Sequence, residues 1–210
     1  MTDPHDTLEL WDYRRRVAEL YRAARSSDPN QATWQRWRVE RDRLFGHHPR
    51  SALDAAQRVG FKGLEYFPYD PAWRFEAEIE AVPADSADLG HSAAGSTPST
   101  RFGVARFPIG DRVVRLPLYW LNDYGGGVFL PFTDDTNGTA TYGGGRYLLD
   151  TAKGADLGHV GTNVVLDFNY AYHPSCAHNP MWSCPLAPLA NRLDLPVRAG
   201  ERLMEYAATH

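Results

Sequence analysis

Trp73-Arg-Phe-Glu-Ala-Glu-Ile-Glu-Ala-Val82 decides the fold. Trp73, Phe75, Ala77, Ile79 and Ala81 alternate with Arg74, Glu76, Glu78 and Glu80. Successive side chains of a strand point to opposite faces, so this period of two predicts a half-buried β-strand. Strands are also expected over Thr100–Phe107, Arg112–Leu121, Gly127–Phe132, Tyr147–Leu149, Asn163–Phe168 and Leu193–Arg198. Gly110-Asp111 marks a hairpin turn between two of them, and Asn137-Gly138 is the strongest short-range hairpin signal in the chain. Pro83 to Ser99 is rich in Ala, Ser, Gly and Asp, lacks aromatics, and is expected to be a mobile surface loop. Strands that follow one another without intervening helices favour an antiparallel sheet. The fold class expected is α+β, mainly β: an antiparallel β-barrel or sandwich preceded by an N-terminal helical hairpin.

The helices precede this region. Asp6 to Arg25 places Leu10, Tyr13, Val17, Leu20, Tyr21 and Ala24 on one face, with Asp6 and Glu9 as a capping box. Ser26–Asn30 breaks that helix. A second helix is expected over Gln31–Phe45, with Trp34, Trp37, Arg41 and Leu44 on one stripe and Gly46 as its stop. Ser51–Gly60 suits a short third helix. The expected organisation is one globular unit: residues 1–50 form a helical hairpin packed on a β-rich body of residues 51–210, which carries the site.

The chain has 210 residues and a net charge of −4. That charge argues against a nucleic-acid partner, which needs a basic footprint. No run of 18 apolar residues occurs, so no membrane span is expected. Met-Thr-Asp-Pro-His-Asp at the start lacks an apolar signal core, and a cytoplasmic location follows as the expectation. The two cysteines, Cys176 and Cys184, fall in one loop and are expected to be thiols in a reducing compartment, with a disulfide or metal ligation as alternatives. His173, His178 or His159 could join them on a metal, but no standard zinc spacing is present, so no metal and no cofactor are expected.

The candidate site lies in two stretches crowded with glycine, aromatics and short polar side chains, Phe132–Leu148 and Leu166–Pro185. Arg146 follows Gly143-Gly144-Gly145 and stands almost alone as a base between Arg115 and Arg192, with Lys153 its single companion. Its planar fork suits a carboxylate or phosphate. The alternative is an internal pair with Asp134, Asp135 or Asp167. Asp134 and Thr136 precede the Asn-Gly turn and could bind a polar ligand or cap turn amides. Thr139 and Thr141 alternate with Ala140 and Tyr142, so the two threonines are expected on one face of a strand. Tyr142 could line a pocket or fill the core. Asp167 and Asn169 flank Phe168, so both point to one side. Asp167 could act as a general base if burial raises its pKa, with Tyr172 as a second proton carrier. Cys176 lacks the surroundings of a known thiol nucleophile.

These same stretches resemble a family of bacterial and archaeal proteins, domain of unknown function 1684. The resemblance rests on Phe132-x-Asp134-x-Thr136-x-Gly138, on Thr141-Tyr-Gly-Gly-Gly-Arg-Tyr-Leu148, on Leu166-Asp-Phe-Asn-x-Ala-Tyr172, on the Cys176–Pro185 loop, and on Asn191-Arg-Leu193 with Ala199-Gly-Glu201. It covers roughly Gly63 to Glu201. The position of His173 is often asparagine in the family, and His178 also departs from its usual pattern. The family brings no settled activity, so the resemblance implies a shared site without naming a reaction.

Three readings follow. In the first, an enzyme acts on a small anionic or polar metabolite, with Asp134, Thr136, Tyr142, Arg146 and Asn169 binding it and Asp167 or Tyr172 moving a proton. In the second, the same residues bind a small-molecule ligand without turnover. In the third, they form a structural polar network. The partner expected is a small molecule, and a homodimer stays open.

Overall fold

The protein, known here through a computed structural model, is described over residues 3–204. The end of the expected β-rich body, residues 205–210, lies outside the described residues.

Two long helices come first. Helix α1 (Pro4–Arg25) is capped by Asp3, whose carboxylate accepts from the His5 N–H, and Pro4 fills the first helical position where no N–H is needed. The expected cap, Asp6, lies inside the first turn, where it and Glu9 pair with Arg50 instead. Helix α2 (Gln31–His47) is capped by Asn30 through the Thr33 N–H. It runs through Gly46 rather than stopping there. A Cβ at Gly46 would meet the Phe61 ring at 2.9 Å, so this glycine lets the ring approach. Helix α3 (Ala55–Val59) carries a capping box between Asp54 and Gln57.

The strands are β1 (Arg74–Gly90), β2 (Ser96–Ile109), β3 (Arg112–Leu121), β4 (Gly127–Phe132), β5 (Arg146–Asp150), β6 (His159–Val160) and β7 (Asn163–Asp167). They form one antiparallel sheet in the order β5-β4-β3-β2-β1-β7-β6. The fold is mainly β with an N-terminal helical hairpin, as expected. The sheet stays open and does not close into a barrel. Strand β1 changes partner along its length: Arg74–Ala77 pair with β7, and Glu78–Gly90 pair with β2. Phe168, just past β7, lies in the core, and its ring meets Trp73, Phe75, Phe107 and Phe132.

Three strand-level expectations fail for identifiable reasons. The expected loop 83–99 is mostly strand, with a turn only between Gly90 and Ser96. Its small residues gave no apolar signal, yet Leu89 and Ser99 are buried, and Pro83 sits within a register shift, where a missing N–H costs no ladder bond. The expected strand Leu193–Arg198 is an irregular strap. Asn137-Gly138 does not join two strands either; it lies in a compact loop between β4 and β5, and Thr139–Tyr142 are not a strand.

The helical hairpin is fixed to the body by aromatic contacts. Tyr21, Trp34 and Trp37 pack with Tyr66 and Tyr170. The Trp34 Nε1–H also donates to the Asn169 carbonyl at 2.8 Å. Both expected helical stripes therefore face inward, including Arg41, which is buried.

Candidate functional site

Arg146 is fully buried at the start of β5. One guanidinium nitrogen donates to Asp134 Oδ2 at 2.8 Å and to the Val197 carbonyl at 2.9 Å. The other donates to the carbonyls of Ala199 and Glu201. The Phe132 ring lies 5.0 Å from the guanidinium carbon. Burial lowers the Arg146 pKa from its ordinary value, against the Asp134 charge. The partner is thus Asp134, not Asp167, and the fork is closed by protein. The Nε is left without a partner among the described residues.

Asp134 completes the knot. Its Oδ1 accepts from the Thr136 N–H, the Thr136 hydroxyl and the Val197 N–H. Thr136 also meets the Thr141 hydroxyl at 2.9 Å. Asn137 accepts from the Asp134 N–H and donates to the Tyr142 carbonyl. Gly145 has φ +92°, and a Cβ there would strike the Phe132 carbonyl at 2.5 Å, so only glycine makes this turn. The knot explains the missing last strand. The Leu193 N–H and the Leu195 carbonyl bond Thr133 and Asp135 just beyond β4, but from Val197 onward the strap's backbone is bonded to the Asp134 and Arg146 side chains.

Asp167 and Asn169 do share a side, but they face the Asp70–Arg74 segment, and only the Asn169 main-chain carbonyl reaches the helices. Asp167 Oδ1 accepts from the Asn169 N–H and Nδ2, and its Oδ2 lies 3.4 Å from Arg74. Asn169 also exchanges bonds with the Asp70 backbone. Burial raises the Asp167 pKa, opposed by Asn169 and Arg74. The Tyr172 hydroxyl reaches Asp150 Oδ2 at 3.3 Å. The set named from sequence therefore falls into three places: Asp134, Thr136 and Arg146 in one knot, with Tyr142 at its edge; Asp167 and Asn169 at the helix junction; Tyr172 against Asp150.

Sequence reasoning missed Glu201. It is fully buried, and its carboxylate receives Arg41 at 2.9 Å, the His173 N–H at 3.2 Å and His178 Nε2 at 3.1 Å, the last off hydrogen-bond alignment. Burial works to raise the Glu201 pKa, yet the Arg41 charge and His173 hold it well below its ordinary value. Burial lowers the His173 pKa despite Glu201. One ligand atom each from His173, His178 and Glu201 lie within 4.8 Å of one another, a set that could hold a metal ion. The bonding of His173 argues otherwise. The Tyr142 N–H donates to its Nε2 at 3.1 Å, which leaves the proton of the neutral ring on Nδ1, a donor facing Glu201 at 3.5 Å. Glu201 Oε2 faces Arg41 and the His173 main-chain N–H, whereas Glu201 Oε1 and His178 Nε2 have no hydrogen-bond partner among the described residues. Asn191 was missed too: it donates to the Pro117 and Pro131 carbonyls and accepts from Tyr119.

Cys176 and Cys184 are free thiols, both half-buried. The Cys176 sulfur lies 3.7 Å from the Tyr142 hydroxyl. Hydrogen bonding from Cys184 lowers the Cys176 pKa to about 6. The same contact and burial raise that of Cys184.

A family described as "protein of unknown function (DUF1684)" matches residues 59–202. The chain belongs to this family. A solution NMR structure of an uncharacterized protein from gene locus rrnAC0354 of Haloarcula marismortui is 34% identical, with a TM-score of 0.59, over 82% of this chain and 94% of that one. No curated protein matches. The knot, the Glu201 cluster and the thiol loop all fall within the DUF1684 segment, whereas Arg41 and Trp34 lie before it and reach it through the helical hairpin. A groove of about 950 Å³ between α1 and α2 is lined by residues 8–49 and so lies outside that segment.

Proposed function

We propose that this DUF1684 protein binds a small polar or anionic metabolite without turnover, at the Tyr142-Gly143-Gly144 turn. The observation that carries this reading is the state of that turn. Gly143 is exposed, and the N–H groups of Gly143 and Gly144 have no partner among the described residues. The half-buried Tyr142 ring lies against Gly144, where an added Cβ would meet it at 2.5 Å. Two adjacent N–H donors suit a carboxylate or phosphate oxygen. In this reading Asp134, Thr136 and Arg146 hold the turn from beneath, and Asn169 acts at the helix junction. Arg146 offers no free face for a ligand, since Asp134 and three carbonyls occupy its fork. Asp167 and Tyr172 are bonded elsewhere, which disfavours proton transfer at this turn. Two free cysteines fit a reducing, cytoplasmic setting.

The test is a thermal-shift panel of inorganic phosphate and small carboxylic and phosphorylated metabolites. A Cβ at Gly143 meets nothing within 4 Å, so Gly143→Leu is expected to fold normally and to abolish the ligand-induced rise in Tm. Tyr142→Phe is expected to weaken it. Ligand stabilisation that survives both substitutions would overturn the location, and chemical conversion of the bound ligand would overturn the absence of turnover.

A further inference from the structure

We propose that Ser183, His91 and Thr97 form a hydrolytic site that cleaves small, uncharged carboxylic esters through an acyl-serine. This activity goes beyond metabolite binding at the Gly143 turn and uses none of its residues. His91 Nδ1 lies 3.1 Å from the Ser183 hydroxyl, and His91 Nε2 lies 2.8 Å from the Thr97 hydroxyl. A hydroxyl within hydrogen-bond reach of a base that a third group orients is what nucleophilic catalysis requires. Ser183 is exposed, whereas His91 and Thr97 are half-buried, so the serine hydroxyl is the one a substrate reaches. The three side chains come from two segments fixed to each other, the tip of the β1–β2 hairpin and the 176–185 loop. The Ser92 N–H donates to the Cys184 carbonyl at 2.9 Å, the Cys184 N–H donates to the Ser92 hydroxyl at 3.2 Å, and the Leu186 N–H donates to the Gly90 carbonyl at 2.8 Å. The Trp182 indole, next to Ser183, donates to the Ala52 carbonyl at 3.1 Å. Gly95 has φ +108°, and a Cβ there would lie 3.8 Å from His91 Nδ1, so its backbone passes beside the reacting pair. The N–H groups of Gly95 and Ser183 have no partner among the described residues and are the donors at hand for an oxyanion.

In the tautomer that serves this step, the Nε2–H donates to Thr97 and Nδ1 accepts from Ser183. The Ser183 oxygen attacks the ester carbonyl carbon as its proton passes to Nδ1. The C–O bond to the leaving alkoxide then breaks, and the alkoxide takes that proton and departs as the alcohol. Water attacks the acyl-serine, gives its proton to Nδ1, and the acid leaves as Ser183 recovers the proton. One ester and one water become one acid and one alcohol. No charged side chain bonds the ring or either hydroxyl among the described residues, which is why an uncharged ester is the class that fits. A threonine hydroxyl fixes the tautomer but brings no negative charge to the imidazolium, so slow turnover of esters with good leaving groups is expected.

The experiment is to react the full chain with a fluorophosphonate, locate the adduct by mass, and follow p-nitrophenol release from p-nitrophenyl acetate. Wild type is expected to carry one phosphonyl group, on Ser183, and to release many equivalents of p-nitrophenol. Ser183→Ala, at an exposed position, is expected to keep the wild-type Tm and lose both signals. His91→Gln is expected to slow labelling and turnover about a hundredfold or more, the range for a positioned general base. Thr97 is a positioning residue: Thr97→Val is expected to lower kcat with KM unchanged, and Thr97→Ser to restore it. An adduct on another residue, labelling that is equally fast in His91→Gln, or release that stops at one equivalent would overturn the proposal. Failure here leaves metabolite binding at the Gly143 turn standing, because that reading is scored by ligand-induced Tm alone.

Discussion

Arg146 bonds a carboxylate only twelve residues before it in the chain, whereas Arg41 bonds Glu201 from the opposite end of the protein. Both pairs are buried, but they do different jobs. The Arg146–Asp134 pair is a local knot that satisfies the backbone of an irregular strap and stands in for a missing strand. The Arg41–Glu201 pair joins the helical hairpin to the body, and its carboxylate also gathers His173 and His178. A motif in sequence can announce the first kind of pair. The second kind exists only once distant elements have packed.

The largest expected effect separates the two. Arg146→Ala strands Asp134 and three carbonyls, and breaking a buried pair from one side costs about 3–5 kcal/mol. Chemical denaturation of Arg146→Ala and Arg41→Ala is expected to show the Arg146 variant as the less stable. The reverse order would mean that the junction, not the knot, dominates stability.

Glu201→Gln keeps acceptors but removes the charge beside Arg41, and is expected to cost about 1.5–3 kcal/mol, the range for hydrogen bonds to charged groups. Acid titration sharpens this. His173 lies below its ordinary value near 6.5, and Glu201 below its ordinary value near 4.5. Each therefore binds protons more readily in the unfolded chain, so its stabilisation is lost as pH falls below those values. Asp167, raised above its ordinary value near 3.8 by burial, acts in the opposite direction. The expected net result is a Tm that falls on acidification, with the part below about pH 4.5 removed in Glu201→Gln. An unchanged profile in that variant would exclude Glu201 as its source.

A smaller effect tests how the hairpin is attached. Trp34→Phe keeps the ring packing and deletes the bond to the Asn169 carbonyl, at an expected cost of about 0.5–1.5 kcal/mol. A neutral result, measured by the same denaturation, would leave the aromatic cluster as the whole attachment. Smallest of all, Asn30→Ala removes the α2 cap at an exposed helix end, with an expected loss of about 0.5 kcal/mol, the low end for N-caps, read in helix content and Tm. An equal loss in Trp34→Phe and Asn30→Ala would show that the junction bond has no more weight than an end cap.

Periodicity by itself determined the helical stripes of Tyr21, Trp34, Trp37 and Arg41 and the antiparallel strands from Arg74 onward, because each reports which side of one element meets apolar surroundings. Composition marked the loops that carry Asp134, Arg146 and Cys176. It misjudged the small-residue stretch of β1 and β2, because Ala, Ser and Asp carry no burial signal even when their backbone is paired. Tertiary structure alone decided that Arg146 turns to Asp134, that the sheet stays open, and that Glu201 lies among Arg41, His173 and His178. The physical reason is range: a residue's neighbours along the chain fix its local geometry, but a buried charge is satisfied by whatever donors folding brings to it, and those donors come from segments whose sequence holds no trace of the meeting.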